Sequence, residues 1–240
     1  MNADASIAPA EDGPVAHDHD IYLPYLNADL ECVIELGCGN GAHATRIATT
    51  FPQCAVTAFE VDRIQHAKNL SADKPDNLTF DYAGAENIPL ADATVDRVMM
   101  FKSLHHVPVD QMLHALGEVA RVLKPGALAY VNEPVFAGDF NEIIRLFHDE
   151  QAVREAAYNA ICRSVEDGLF TRHEQIFYRS PTHFDSFDAF EQRLLQATHT
   201  DHQLSQSTYD EVREKFCAHL GSDGAQFQSP MRVDVLQKPA

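Results

Sequence analysis

The stretch VIELGCGNG, Val33 to Gly41, decides the fold of this chain. Val33, Ile34 and Leu36 predict a short buried strand. Three glycines follow at alternate positions, Gly37, Gly39 and Gly41, and a helical segment starts at Ala42. Strand, glycine turn and helix bring backbone close to a nucleotide-like ligand. Glycine suits that approach because a side chain would intrude and because such turns need φ > 0. The stretch therefore predicts an adenosine-containing cofactor, and leaves open which one.

The flanking sequence extends the pattern. Cys32–Leu36, Cys54–Glu60, Leu78–Ala83, Val95–Lys102 and Ala127–Val131 predict strands. Between them, Ala42–Thr50, a segment from Asp62 to about Leu70, and Asp110–Leu123 carry helical signals. Asp62 is a candidate cap, and Met112, Leu113, Leu116, Val119, Ala120 and Leu123 follow the helical period. Strands alternating with helices from 31 to 133 predict βαβ units and a parallel sheet. The character then changes: residues 136–190 hold eight of the 14 Phe and two of the seven Tyr. Helices are expected over Phe140–Ile161, Phe187–Ala197 and Tyr209–Leu220, and strands over Glu174–Arg179, His199–Ser205 and Met231–Leu236. Asp18–Ala28 predicts a helical face interrupted by Pro24.

Composition narrows the function classes. The chain has 240 residues, 45% of them hydrophobic, which suits one α/β domain with an elaboration. No apolar run approaches the ~20 residues of a membrane span. The first residues have neither the basic nor the apolar region of a signal peptide and suggest a flexible leader over 1–17. Cysteines 32, 38, 54, 162 and 217 have no C-x-x-C spacing and are expected as free thiols of a cytoplasmic protein. The net charge of −18, from 36 acids and 18 bases, disfavours nucleic acid and anionic membrane as partners.

Glu35 separates the cofactor candidates. GCGNGA also fits the dinucleotide pattern G-x-G-x-x-G/A. An acid two residues before the first glycine would face the loop, where it suits a cationic amino group and repels a pyrophosphate. The pattern E-x-G-x-G-x-G resembles the first motif of the class I S-adenosylmethionine (SAM)-dependent methyltransferases, small-molecule branch. Three later landmarks keep the family's order. AGAENIPL (83–90) is similar to G-D-A-E-x-L-P-F, with Gly84 where the family has an acid. DRVMMFKSLHHV (96–107) is similar to a fourth strand running into "LHHV". EVARVLKPGALAYVNEP (118–134) is similar to "EVxRVLKPGG", with Ala127 in place of the last glycine.

The resemblance implies a Rossmann-like, doubly wound, mostly parallel seven-stranded sheet with a helical and aromatic C-terminal elaboration. It implies a single domain over 18–240, made of a SAM-binding core (30–135), a substrate-side elaboration (136–198) and C-terminal strands and helix (199–240). It implies SAM as cofactor, held by Glu35, Gly37, Cys38, Gly39, Gly41, Glu60, Val61, Ala85, Glu86 and Lys102. Glu60 would meet the ribose hydroxyls, as an acid about 20 residues beyond a glycine loop also would in the dinucleotide reading.

Methyl transfer to a small molecule by in-line displacement follows from the resemblance. Tyr22, His106 and Glu133 are substrate-side candidates. His105 and His106 are candidate general bases or, equally in keeping with the residues, structural members of the loop. As neighbours in an extended segment they would point apart. The aromatic elaboration would supply either an apolar acceptor pocket or an ordinary core. The alternating His and Asp of HDHD (17–20) are not expected to hold a metal, and no metal is expected elsewhere. A SAM-binding protein without turnover and a nicotinamide-dependent oxidoreductase remain as alternatives. A homodimer is left open.

Overall fold

The computed structural model describes residues 6–9, 13–195 and 204–240. β1 (Cys32–Leu36) pairs in parallel with β2 (Ala55–Glu60) and β4 (Val95–Phe101). β3 (Leu78–Tyr82) extends the sheet beyond β2, and β5 (Leu123–Pro134) beyond β4. β8 (Gly224–Gln237) and β6 (Thr171–Phe184) complete the other side antiparallel, giving the order β3-β2-β1-β4-β5-β8-β6. The two-residue β7 (Leu220–Gly221) pairs only with β8. The Rossmann-like sheet of seven full strands is as the sequence predicts.

α1 (Asp18–Tyr22), α2 (Ala42–Thr50), α3 (Arg63–Leu70), α4 (Met112–Val122), α5 (Asp139–Ile144), α6 (Gln151–Glu166), α7 (Phe187–Phe190) and α8 (Gln206–Cys217) cover the sheet and its far end. Successive side chains of a strand face opposite ways. Ile34 and Leu36 join a core with α4 and α6, while Val33 joins the core on the α2 side. The chain order reverses between β1 and β4, and an α/β sheet opens its crevice at such a point.

Several segments differ from the sequence reading. The single helix expected over Phe140–Ile161 is two helices, α5 and α6. The second starts at Gln151, whose N–H is taken by the Asp149 carboxylate at 3.0 Å. A side-chain acceptor of this kind offers the backbone an alternative to continuing the first helix. Residues 199–203 of the predicted strand lie outside the described residues; Leu204 and Ser205 are not in a strand, and Ser205 caps α8 by accepting from Thr208 N. Residues 13–17, expected within a flexible leader, run beside β6: Arg179 N donates to Pro14 O and Ala16 N to Arg179 O. Among the described residues no helix is long and apolar enough to cross a membrane.

The aromatic elaboration is a core of its own. Phe184, Phe187, Phe190, Phe216 and Phe227 are buried together with Ile143, Val212 and Ala225. Most of their rings meet edge-on or tilted, as at Phe190–Phe216, 4.8 Å between centroids, while Phe187 stacks on Phe190. Phe190→Ala should therefore lower unfolding free energy by about 3–5 kcal/mol. Urea denaturation measures it; a loss below about 1 kcal/mol would mean that the cluster is not packed as a core.

Candidate active site

A cavity of about 680 Å³ opens at the carboxyl ends of β1, β2 and β4, within the size range of small-ligand sites. Glu35, Gly37, Cys38 and Gly39 line it from the first loop, Glu60 and Val61 from the second, and Ala85 and Glu86 from the third. Lys102 and His106 line it beyond β4. Ten residues read from separate motifs thus meet around one space.

The glycine loop forms because its residues are left-handed. Gly37, Gly39 and Gly41 have φ of 68°, 52° and 73°. Any L side chain is strained there, and a Cβ on Gly37 would also meet Ser103 Cβ at 2.7 Å. Gly41 does not line the cavity; it starts α2, and a Cβ there would strike the Phe80 ring. A Cβ on Gly39 would meet no atom within 4 Å, so that face of the loop is open for a ligand.

Two side chains fix the middle of the loop. Glu60 Oε2 accepts from Gly39 N at 2.7 Å, and Asn69 Nδ2 donates to Gly39 O at 2.7 Å. Glu60 Oε1 accepts from Val61 N and Asp62 N, both at 2.8 Å. A carboxylate has about four lone-pair positions, so about one remains for a ribose hydroxyl. Asn69 was not legible in the sequence, because its role depends on α3 packing against the loop.

Glu35 is 1% exposed, and its Oε2 is buried without a hydrogen-bond partner. Burial pushes its pKa up to about 8, with the nearby Glu60 charge acting the same way and a backbone hydrogen bond at Ala44 against it. An unsatisfied buried carboxylate oxygen beside the cavity fits a cationic amino group, which would remove the cost of ionising it.

The third loop resolves the departure at Gly84. A Cβ on residue 84 would collide with both carboxylate oxygens of Glu86. Glycine here makes room, and the Glu86 carboxylate folds back over it. The third loop thus presents the Glu86 carboxylate beside the position where the family pattern has its other acid.

Lys102 ends β4 with φ of 54°, unusual for a residue with a side chain. Its backbone N–H is held by Asn132 O at 2.7 Å, and its ammonium lies 3.2 Å from Asp18. Asp18 also accepts from Tyr178 and Ser180, which tie α1 to β6. Burial opposes the Asp18 charge, yet Lys102 and these hydroxyls hold its pKa below the usual value. His43 lines the cavity and stacks on Phe101, centroids 4.2 Å apart. Tyr22, a substrate-side candidate, is fully buried behind it, packed on Phe101 and Tyr130, and does not border the cavity.

The histidine pair is divided by burial. Leu104–His106 forms a 3-10 turn, not an extended segment, and the two rings lie 4.1 Å apart. His106 borders the cavity; His105 and Glu133 do not. His105 is 4% exposed and Glu133 2%. Glu133 bonds to His105 Nδ1 and accepts from Leu104 N at 2.9 Å. Glu133 is thus a buried partner of the loop, not a wall of the substrate cavity. Burial works against the charge on His105, but Glu133 and Glu150 outweigh it and push the pKa up to about 9. Burial and the neighbouring His105 charge hold His106 below its ordinary value. The aromatic cluster of the elaboration contributes no residue to the cavity wall, and of the arginines in that region Arg154 instead pairs with Glu150 at 2.7 Å.

Residues 33–126 match the family described as "Methyltransferase domain". The match covers less than half of the chain, the stretch that carries the glycine loop, β2, β3 and β4. It is 37% identical over 98 residues to the 27-O-demethylrifamycin SV methyltransferase of Amycolatopsis mediterranei, covering 39% of this chain and 35% of that one. It is 31% identical over 137 residues to the dimethylglycine N-methyltransferase of Parasynechococcus marenigrum, covering 56% and 48%. The matches therefore span about a third to a half of these relatives. A SAM-dependent methyltransferase of Methanosarcina mazei shares the fold over 93% of this chain and 99% of its own, with a TM-score of 0.59 at 15% identity.

The pKa of Glu35 sets a sign for stability. Its folded value of about 8 lies above the ordinary 4.5, so between these the folded protein keeps a proton that the unfolded chain has lost. Stability contributed by this group then falls as pH rises from 4.5 through 8. Glu35→Gln should be more stable than the parent protein above that window and should lose the difference toward its acid end. Urea midpoints across pH measure it; parallel curves for the two proteins would contradict the buried, unpaired carboxylate.

Proposed function

We propose that this protein is a SAM-dependent methyltransferase that transfers the methyl group of SAM to a small-molecule acceptor. The observation that carries this reading is the unpartnered Glu35 oxygen beside the open face of Gly39, in a cavity that also presents Glu60 and Glu86. Glu35 and the loop backbone would hold the methionine end, and Glu60 the ribose. Ala85 backbone and the Glu86 carboxylate would meet the adenine edge. When bound, SAM supplies a methyl group activated by its sulfonium.

The protein's own part is alignment and exclusion of water. Lys102 and His43 stand at the methionine end, and Lys102 offers a cation for a carboxylate. His106, Val107 and Pro108 form the part of the wall nearest the loop after β4, where an acceptor would approach. The net charge of −18 supports a small molecule over a nucleic acid as that acceptor.

Calorimetric titration with S-adenosylhomocysteine, SAM and NAD tests the reading. Binding of the first two at micromolar Kd, about −8 kcal/mol, and none of NAD is expected. Glu86→Ala should weaken S-adenosylhomocysteine by about tenfold or more, the loss of one hydrogen bond to a charged group. Preference for NAD would overturn the cofactor assignment. Cofactor binding without methylation of any small acceptor would favour a SAM-binding protein instead.

A further inference from the structure

Beneath the acceptor end of the cavity lies a cluster that cofactor binding does not use. Glu150, at the break between α5 and α6, brings its carboxylate to the histidine pair: Oε1 lies 3.6 Å from His105 Nε2. That is too long for a hydrogen bond. His105 Nε2, a ring nitrogen of His106 and the Glu150 oxygen all lie within 4.8 Å of one another. Two ligands bound at ~2.1 Å to one ion stand about 3–3.5 Å apart, so the buried pair is a few tenths of an ångström from that spacing. His106 is exposed and borders the cavity.

The surroundings are built for ligation. Glu133 takes the Nδ1 side of His105 and also accepts from Leu104 N, so the ring is fixed with Nε2 aimed at Glu150. A carboxylate behind the imidazole is the usual support of a metal-ligating histidine. Arg154 holds the other oxygen of Glu150 at 2.7 Å, and Asn141 holds Arg154 at 3.0 Å. His148 Nε2 lies 2.9 Å from Glu150 Oε1 and steadies it from outside. Two carboxylates converge on one buried imidazole, and among the described residues Arg154 is the one guanidinium bonded to either. With His105 neutral, these carboxylates leave one negative charge that a bound cation or a proton would balance.

We propose that His105, His106 and Glu150 bind one divalent transition-metal ion. Two imidazoles and one carboxylate favour zinc, cobalt, nickel or iron over magnesium or calcium. Because His106 also borders the cavity, the remaining coordination positions face the acceptor. This part rests on the methyltransferase reading: the ion would select acceptors carrying a hydroxyl or carboxylate oxygen near the methylated atom. A proton shared within the cluster answers the same charge requirement without a metal, and the experiment separates the two.

The chelator-stripped full chain is titrated with cobalt(II) and followed by its visible ligand-field bands, then with zinc by calorimetry. One equivalent should bind, with bands typical of nitrogen and oxygen ligands. Glu150→Gln and His106→Ala, each checked for a native circular-dichroism spectrum and melting curve, should lose the bands. Glu133→Gln should weaken zinc by about 10–100-fold while keeping the bands. A His17→Ala/His19→Ala double variant should bind as the parent does. No binding, or bands unchanged in Glu150→Gln and His106→Ala, would overturn the metal site and leave a proton in its place. S-adenosylhomocysteine binding is measured on the same samples. Its loss with metal binding intact would overturn the cofactor reading alone, and the converse would overturn the metal site alone.

Discussion

The whole site depends on a chain reversal made by left-handed glycines. β1 must turn into α2 within a few residues, and Gly37, Gly39 and Gly41 all sit at positive φ. Neighbours leave no room for side chains at two of them: Ser103 packs against Gly37, and Phe80 lies under Gly41. The third faces open space. Glu60 and Asn69 grip the N–H and the carbonyl of Gly39, so the loop is fixed by groups from β2 and α3 before any ligand arrives. A loop held in this way loses little entropy on binding.

Charge in the site follows a consistent division. Acids facing the cavity are left incompletely satisfied, and acids beneath it are paired. Glu35 has an oxygen with no partner, and its burial makes ionisation costly without a ligand. Glu133 and Glu150 are committed to His105, Leu104 and Arg154. Stability and binding therefore pull in opposite directions at Glu35, a common condition for functional groups, which keep polar atoms unpaired at a cost to the fold.

The C-terminal half serves the site differently from what its composition suggests. Its many aromatics pack on each other and stabilise the far end of β6 and β8. Its contribution to the site is the break between α5 and α6, where Glu150 emerges toward the histidine pair. No spacing in the sequence marks Glu150, since 44 positions separate it from His106 and only the packing of α6 beside the loop brings them together.

Local sequence determined the strand–glycine–helix unit, the alternation of strands and helices, and hence the parallel half of the sheet, because these rest on short-range sterics and side-chain periodicity. It also determined which loops line the cavity: Glu35, Glu60, Ala85, Glu86 and Lys102 all reach it. Tertiary structure decided what distance along the chain conceals. It buried Tyr22 behind His43, placed Glu133 under the loop, and divided His105 from His106 by exposure alone. It also brought the Glu86 carboxylate over Gly84, a contact legible only once the backbone is folded. The physical reason is the same in each case. Secondary structure is written in neighbouring residues, whereas burial and pairing depend on which elements pack together.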